Sequence, residues 1–333
     1  MSYGAQLKFG LARQTAGGIG NVVSAPTSYH GMPLLTEDIG LTKAELISAN
    51  LIGKFEQGAI YSGVANVDGT ISFELTPKNM LTALAACVNW SPGTVTSGSL
   101  ATHTFLPNTQ DYSGTYVKAP WSGYKQYTDS NSAEQFYDMQ FGNLELSVKQ
   151  GQFLQGKLTA TGGLRMPNGV GSMAVQPLGA DVGVLFPWSV ASLSYGGAAL
   201  STASDITVTI NENMEALYTI NGTLLPFKFS RKGFREVTLK GTFYMTDRSM
   251  LNNFTGEVQQ QLLLTLTNTK TAIQSGYYNS LTIDVPQMKV TAFKPATTGP
   301  GEVSVSFTAR GVLDPTSLYS IQFIATTTYQ AGF

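Results

Sequence analysis

Residues 65–90, ANVDGTISFELTPKNMLTALAACVNW, join a pattern typical of a strand to a pattern typical of a helix. Apolar residues alternate with polar ones from Val67 to Leu75, which predicts a strand with one buried and one solvated face. Thr76 is a favourable helix N-cap, and Pro77 suits the first helical position. An apolar stripe at helical spacing follows, formed by Met80, Leu81, Leu84 and Val88.

The same order of patterns returns at residues 236–256, EVTLKGTFYMTDRSMLNNFTG. An alternating strand again precedes a helix, for which Thr246 is the expected cap, Asp247 a favourable first-turn acid and Gly256 the stop. The two stretches share Val67 with Val237, Phe73 with Phe243, Thr76 with Thr246, Met80 with Met250 and Leu81 with Leu251. Alternating strand patterns also flank both stretches, so we expect an internal duplication.

The chain is expected to divide into two domains within residues 165–178, RMPNGVGSMAVQPL, which carry prolines and glycines. This predicts domains at residues 1–170 and 171–333. The first would carry an N-terminal arm and, at residues 107–134, an insertion rich in aromatic residues. Both halves are otherwise strand patterns, so the expected fold class is all-β with one short helix in each half.

Composition limits the classes of function. Only 12% of the 333 residues are charged, about half the usual fraction, so either the strands are Thr-rich or neighbouring subunits cover much of the surface. A net charge of −1 gives no basic field for tight nucleic-acid binding. No apolar run reaches the roughly 18 residues that span a membrane, and the N-terminus lacks a signal-peptide pattern. We therefore expect a protein made and kept in a cytosol, without a membrane partner.

No motif predicts catalysis. Residues 151–158, GQFLQGKL, imitate a phosphate loop, but Leu158 stands where Ser or Thr should hold magnesium, and a strand pattern follows. His30 and His103 have no patterned partner, and Cys87 is the only cysteine, expected in the core. We expect no catalytic, cofactor-binding or metal-binding residues, no cofactor and no enzyme.

The aromatic insertion leaves a binding function open. Such side chains can stack on sugars, although, without basic residues beside them, an insertion anchored against a neighbouring surface explains them better. The alternative function is therefore a tandem β-sandwich that binds carbohydrate or a partner through Tyr112, Tyr116, Trp121, Tyr124 and Tyr127.

The order of segments resembles bacteriophage tail tube proteins of long, non-contractile tails, over nearly the whole chain. The segments that carry the resemblance are the glycine-containing N-terminal arm, LTKAE at residues 41–45, VDGTISFELTPKNMLTALAACV, FGNLELSVKQGQFLQGKLTATGG, DITVTINENMEALYTI, LKGTFYMTDRSMLNNFTG and EVSVSFTARG. The resemblance implies two tandem antiparallel β-sandwich or partial-barrel domains, each flanked by a helix. It also implies a structural virion protein, assembled in the host cytoplasm.

The resemblance further implies rings stacked into a tube, through which DNA passes without specific binding. Partners would be further copies of the chain, a tape-measure protein, and tail terminator and tail-tip proteins. Two domains per chain predict three chains in a ring that imitates sixfold symmetry. A ring of six chains, each a single larger domain, is the alternative.

Two sets of residues are expected to carry the function. Solvated strand faces should line the channel, because acidic side chains repel phosphates; the candidates are Asp68, Glu74, Glu145 and Glu302. The long connections at residues 50–63 and 211–235 are apolar for loops and should contact the next ring. Their candidate contact residues are Phe55, Ile60, Tyr61, Leu225, Phe227, Phe229 and Phe234.

Overall fold

Strands, nearly all antiparallel, form most of the computed structural model of the chain. The structure describes residues 7–14, 28–48, 59–89, 93–97, 100–107, 119–127, 133–165, 174–175, 184–220, 224–297 and 302–329. The all-β prediction is confirmed, with two short α-helices in these residues.

The first half contains helix α1 (Pro77–Cys87) and eleven strands. The strands are β1 (Lys8–Arg13), β2 (Ser28–Met32), β3 (Thr36–Glu37), β4 (Gly40–Ile47), β5 (Ile60–Glu74), β6 (Thr94–Ser97), β7 (Leu100–Phe105), β8 (Trp121–Gln126), β9 (Ala133–Lys149), β10 (Gln155–Arg165) and β11 (Ala174–Val175).

The second half contains a 3-10 turn (Trp188–Val190), helix α2 (Ser249–Thr255) and ten strands. The strands are β12 (Ala191–Tyr195), β13 (Ala198–Ala199), β14 (Ala203–Asn211), β15 (Met214–Leu217), β16 (Lys228–Arg231), β17 (Glu236–Tyr244), β18 (Gln260–Gln274), β19 (Tyr277–Ala296), β20 (Ser304–Val312) and β21 (Gln322–Thr327).

Helix α1 begins as its sequence predicts. The Thr76 hydroxyl accepts a hydrogen bond from the Asn79 backbone N–H at 3.2 Å, and Pro77 occupies the first helical position. Nearly every residue of the helix is buried, and it packs against β9 and β10. The helix therefore covers the apolar face of the sheet rather than lying on the surface.

Helix α2 begins later than predicted. It starts at Ser249, and the exposed Thr246 does not cap it. Instead, the Asp247 carboxylate accepts a hydrogen bond from the Ser249 N–H at 2.7 Å, which holds the chain in a turn before the helix. Gly256 follows the last turn, as expected.

Strands of both halves form one continuous sheet. Its order is β3 and β4 together, then β5, β10, β9, β14, β17, β20 and β19. The first four positions come from the first half and the last four from the second. The pairing of β9 with β14 joins the halves at the middle of this sheet.

The two groups of four positions share register as well as order. The sequence repeat aligns Phe73 with Phe243. The residues that lie opposite these two on the next strands, β10 and β9 in the first half and β20 and β19 in the second, are then aligned as well. Those residues are Gly156 and Leu146 in the first half, and Val305 and Pro295 in the second.

The long strands β9 and β19 also bend at matching places. The ladder with the following strand skips Gly142 in β9 and Thr291 in β19. On their other side, β8 shifts register after Trp121, and β18 shifts after Gln260. Bulges of this kind bend a strand and increase its twist, so both halves bend their longest strand in the same way.

Most buried apolar residues of the two halves, among those the structure describes, belong to one shared cluster. It includes Ile71 and Leu158 from the first half and Leu239 and Ile283 from the second. Strand β21 also connects the halves, because it pairs with both β19 and β7. The predicted boundary at residue 170 lies outside the described residues.

Three predictions about local structure are wrong. Residues 121–126 of the expected insertion form β8, because Trp121 and Tyr124 are buried and the segment pairs with β1 and β9. Alternation predicts two strands, at residues 281–285 and 288–293, but both lie in the single strand β19, and Pro286 lies within it at a register shift. The connection at residues 211–235 contains a hairpin, β15 with β16.

Candidate functional site: a sheet with two open ends

The continuous sheet has two ends, and the strands at each end have a partner on one side only among the described residues. At one end, β3 and β4 pair with β5. At the other, β19 beyond Met288 pairs with β20. An edge strand presents unpaired backbone N–H and C=O groups, which are a template for pairing with another chain.

At the centre of the sheet, β9 and β14 pair over seven residues. The apolar pairs Leu144 with Ile210 and Leu146 with Val208 face the core. On the opposite face, Glu145 lies beside Thr209. One face of the sheet is therefore dry and the other polar across the boundary between the halves.

Three of the four predicted lumen residues share that polar face. Asp68 and Glu74 alternate on β5 with buried residues, and Glu145 does so on β9; all three are partly exposed. Glu302 is exposed but precedes β20 and is outside the sheet. Thr42 donates a hydrogen bond to Asp68 at 2.9 Å.

The polar face also carries bases that the sequence interpretation did not select. Lys157 lies opposite Glu145, and Lys149 lies opposite Asp205. Threonines fill much of the space between them. Alternation alone placed these residues on solvated strands, but only the register shows that acids and bases are neighbours. The face is mixed in charge rather than acidic.

The hairpin of β4 and β5 projects as a two-stranded ribbon with exposed apolar side chains. Leu46 is paired with Tyr61 and Ile47 with Ile60, and all four are exposed, Tyr61 at 67%. Ile60 and Tyr61 were predicted in a loop but belong to β5. Phe55, a further candidate contact residue, lies outside the described residues. Such a ribbon is only marginally stable alone.

The second predicted contact segment packs on the first half of the same chain. The Ala65 N–H donates a hydrogen bond to the Leu224 carbonyl at 2.9 Å, and the Phe229 ring lies against Gly162. Five apolar residues of this connection remain exposed, namely Ile220, Leu224 and the predicted contact residues Leu225, Phe227 and Phe234. The segment thus bridges the two halves and still presents apolar surface.

A buried carboxylate anchors this bridging segment. Glu212, 1% exposed, accepts a hydrogen bond from Arg235 Nε at 2.8 Å and is paired with Arg231. Its backbone N–H donates to the Gly142 carbonyl at 2.7 Å. The two arginines compensate the buried charge, which would otherwise be costly. The ion pair therefore joins the two ends of the segment that contains the β15–β16 hairpin, and the backbone hydrogen bond joins Glu212 to the first half.

The described residues contain no arrangement suited to a metal. No three His, Cys, Asp or Glu side chains among them are grouped as metal ligands. His30 and His103 are buried. Residues 151–158, the imitation of a phosphate loop, form a turn and the start of β10 rather than a loop opening a helix.

The aromatic candidates for sugar binding are only partly available. Trp121 and Tyr124 are buried in β8, and Tyr124 stacks on Tyr29 with ring centroids 5.4 Å apart. Tyr112 and Tyr116 lie outside the described residues. No helix in the described part of the chain is long and apolar enough to cross a membrane.

Comparison with known families decides the class. A family model described as phage tail tube protein matches residues 4–311. The chain belongs to the phage tail tube protein family. A search of curated proteins found no match. The tail tube protein is thus a structural protein of the bacteriophage virion, and it assembles with other tail proteins into a multimeric tube.

Proposed function

We propose that three copies of this tail tube protein close into a ring, and that rings stack into a passive conduit for DNA ejection. The observation that carries the proposal is the open-ended sheet, in which four strand positions from each half follow one another in the same order. Joining such sheets end to end removes their edges, and a closed ring leaves none.

The stoichiometry follows from the repeat. Residues 1–170 and 171–333 are taken as two tube domains, so three chains supply six domain positions and a pseudo-hexameric ring. Matching registers and matching bulges in β9 and β19 favour a duplication over a chance likeness. The competing arrangement is a homohexamer in which each chain is one domain.

The polar sheet face is proposed to line the channel. Asp68, Glu74 and Glu145 would face the lumen from within the sheet and Glu302 from its margin. Neighbouring acids and bases with intervening threonines give the wall little net charge, so it has no continuous basic surface to hold phosphates. A structure of the assembled tube that places these carboxylates on the outer wall would end this part of the proposal.

The remaining partners follow from that role. A tape-measure protein would occupy the channel before ejection, and terminator and tip proteins would bind the tube ends. Assembly would take place in the cytoplasm of the bacterial host. The exposed residues Ile60, Tyr61, Leu225, Phe227 and Phe234, together with Phe55 and Phe229, would contact the neighbouring ring.

Negative-stain microscopy of the purified protein, with and without its tail partners, tests the proposal. Rings or tubes are the expected result. Dispersed monomers that retain glycan affinity would contradict it and favour the alternative, a tandem β-sandwich binding module. The burial of Trp121 and Tyr124 already removes two of the side chains which that alternative requires.

A further inference from the structure

The pairing of β9 with β14 joins the two halves of each chain, whereas the outer edges of the same sheet end without a partner among the described residues. We propose that these two edges pair between neighbouring copies, in the register that β9 and β14 use within one chain. The inference rests on the proposed function, because ring assembly supplies the second copy.

The first step is that β14 occupies in the second half the place of β3 and β4 in the first. β3 and β4 lie antiparallel beside β5, which leads to α1, and β14 lies antiparallel beside β17, which leads to α2. Thr36 lies opposite Ser72 in the first half, as Asp205 lies opposite Thr242 in the second. Gly40 likewise lies opposite Asp68, as Thr209 lies opposite Thr238. The sequence repeat aligns Ser72 with Thr242 and Asp68 with Thr238.

The second step is that the end of β19 occupies the place of the end of β9. Leu144 lies opposite Leu158 of β10, and Phe293 lies opposite Phe307 of β20, at the same distance along the ladder from the bulge. Residues 143–147 of β9 pair with β14. Residues 292–296 of β19 are their counterparts, and there the partner is missing within the described chain.

Transferring the intrachain register to the open edges gives definite pairs between copies. The intrachain pair of Asn143 with Asn211 corresponds to Ala292 of one copy opposite Thr42 of the next. The pair of Leu144 with Ile210 corresponds in the same way to Phe293 opposite Leu41. Leu146 with Val208 becomes Pro295 with Ile39. The strands run antiparallel, as in the intrachain joint.

The side chains at this joint are compatible on both faces. Leu41 and Phe293 are partly buried and pack against the core of their own sheet, so pairing them would continue the apolar layer from one copy to the next. On the polar face, Lys294 and Asp38 are both exposed and would be diagonal neighbours. Cross-strand opposite charges of this kind stabilise a chosen register.

One residue makes the joint weaker than its intrachain counterpart. Pro295 replaces Leu146 and has no N–H to donate, so it contributes at most its carbonyl to the ladder. Proline is tolerated at an edge strand but not in the middle of a sheet. This difference suits two edges that remain apart in the free chain and pair only when rings form.

Disulfide trapping tests the register directly. The variant Thr42→Cys/Ala292→Cys places cysteines at opposed positions, which are about 4.5–5.5 Å apart between Cα atoms and within disulfide reach. The control Thr42→Cys/Ala296→Cys moves one cysteine four residues along the same face, at about 3.3 Å per residue, which is out of disulfide reach. Asn143→Cys/Asn211→Cys, at the corresponding intrachain positions, calibrates the yield. The native Cys87 is buried and does not compete.

We expect mild oxidation of assembled tubes of the opposed variant to give reducible covalent oligomers that end at the trimer. The displaced pair should give only monomer, and the intrachain pair should close within monomers. Tubes in which the opposed pair cross-links no more than the displaced pair, while the intrachain pair closes, would overturn the joint but leave the proposed function intact. Failure of the wild-type protein to form rings or tubes would count against the proposed function itself.

A charge exchange gives an independent readout without cysteines. The Asp38 carboxylate also accepts hydrogen bonds from the Thr70 N–H and hydroxyl of its own chain, so the urea unfolding of each variant is measured beside its assembly. Lys294→Asp should reduce the yield of tubes, as should folded Asp38→Lys, and the double variant should restore part of the yield. Two single variants that assemble like the wild type, with no gain in the double variant, would contradict the diagonal contact.

Discussion

Thr76 caps α1, and its repeat counterpart Thr246 caps nothing. The variant Thr76→Ala should lower the free energy of unfolding by about 1 kcal/mol, because the Asn79 N–H loses its acceptor. Urea denaturation of unassembled protein measures the change. Thr246→Ala is the matched control and should stay within about 0.5 kcal/mol of the wild type. Equal losses in both variants would contradict the difference between the two caps.

His30 makes the stability of the fold depend on pH. Burial, with a smaller effect from the charge of Lys78, lowers the pKa of His30 to about 3. Below a pH of about 6.5, the unfolded chain takes up a proton that the folded chain does not, so the free energy of unfolding falls as the pH drops. This loss should be up to about 1.4 kcal/mol per pH unit until about pH 3.

The comparison that isolates this effect is between His30→Gln and the wild type. Urea denaturation at several pH values between about 4 and 7 gives the free energy of unfolding of each protein. The variant should show a shallower fall with decreasing pH, whatever its stability at neutral pH. Parallel profiles would show that His30 titrates alike in the folded and unfolded chains.

At the scale of single residues, the sequence predicts structure where a side chain acts on its near neighbours in the chain. The hydroxyl of Thr76 and the ring of Pro77 act on the next few residues, so the start of α1 was predictable. Thr246 has the same local sequence signal, but the Asp247 carboxylate accepts the hydrogen bond from the Ser249 N–H, and α2 begins only at Ser249. The burial of His30 depends on distant strands and left no signal in its own segment.

At the scale of elements, the Glu212 ion pair determines how the β15–β16 hairpin is held. Glu212→Gln should cost about 3 kcal/mol of unfolding free energy, because two largely buried arginines lose their counter-charge. Hydrogen exchange should also become faster in residues 214–231. Glu215→Gln is the control, since Glu215 pairs with the exposed Lys232 at 3.4 Å and should cost less than about 1 kcal/mol. Equal effects would show that the buried pair does not anchor the hairpin.

The β4–β5 ribbon provides a second test among the elements. Replacing Ile60 and Tyr61 with Ser should leave the free energy of unfolding within about 1 kcal/mol of the wild type, because both side chains are already exposed. The yield of tubes in sedimentation should fall, since the proposed contact with the neighbouring ring is lost. A folded double variant that forms tubes normally would remove the ribbon from the assembly surface.

Elements with strong alternation were predictable, and irregular ones were not. The pattern of β5, β9, β10, β14 and β20 follows directly from apolar residues on one face. β8 was missed because Gly123 interrupts its six residues and its aromatic residues suggested an insertion. The ion pair between Glu212 and Arg235 could not be anticipated either, because the approach of those residues depends on the pairing of β14 with β17.

At the scale of the whole molecule, the sequence predicted a duplication but not the order of the strands. Period-two patterning says which face of a strand is buried, and it says nothing about which strand lies beside it. The pairing of β9 with β14 connects residues distant in the chain, and only the structure places the open edges at β4 and β19. The assembly proposal depends on that order.

The most direct test of the account is a cryo-microscopy reconstruction of the native tail tube, refined without imposed symmetry. Three chains should form each ring, with the two halves of every chain at alternating positions and the polar sheet face towards the channel. The covalent connection between halves should break the apparent sixfold symmetry on the outer surface. A ring of six complete chains would contradict the central claim.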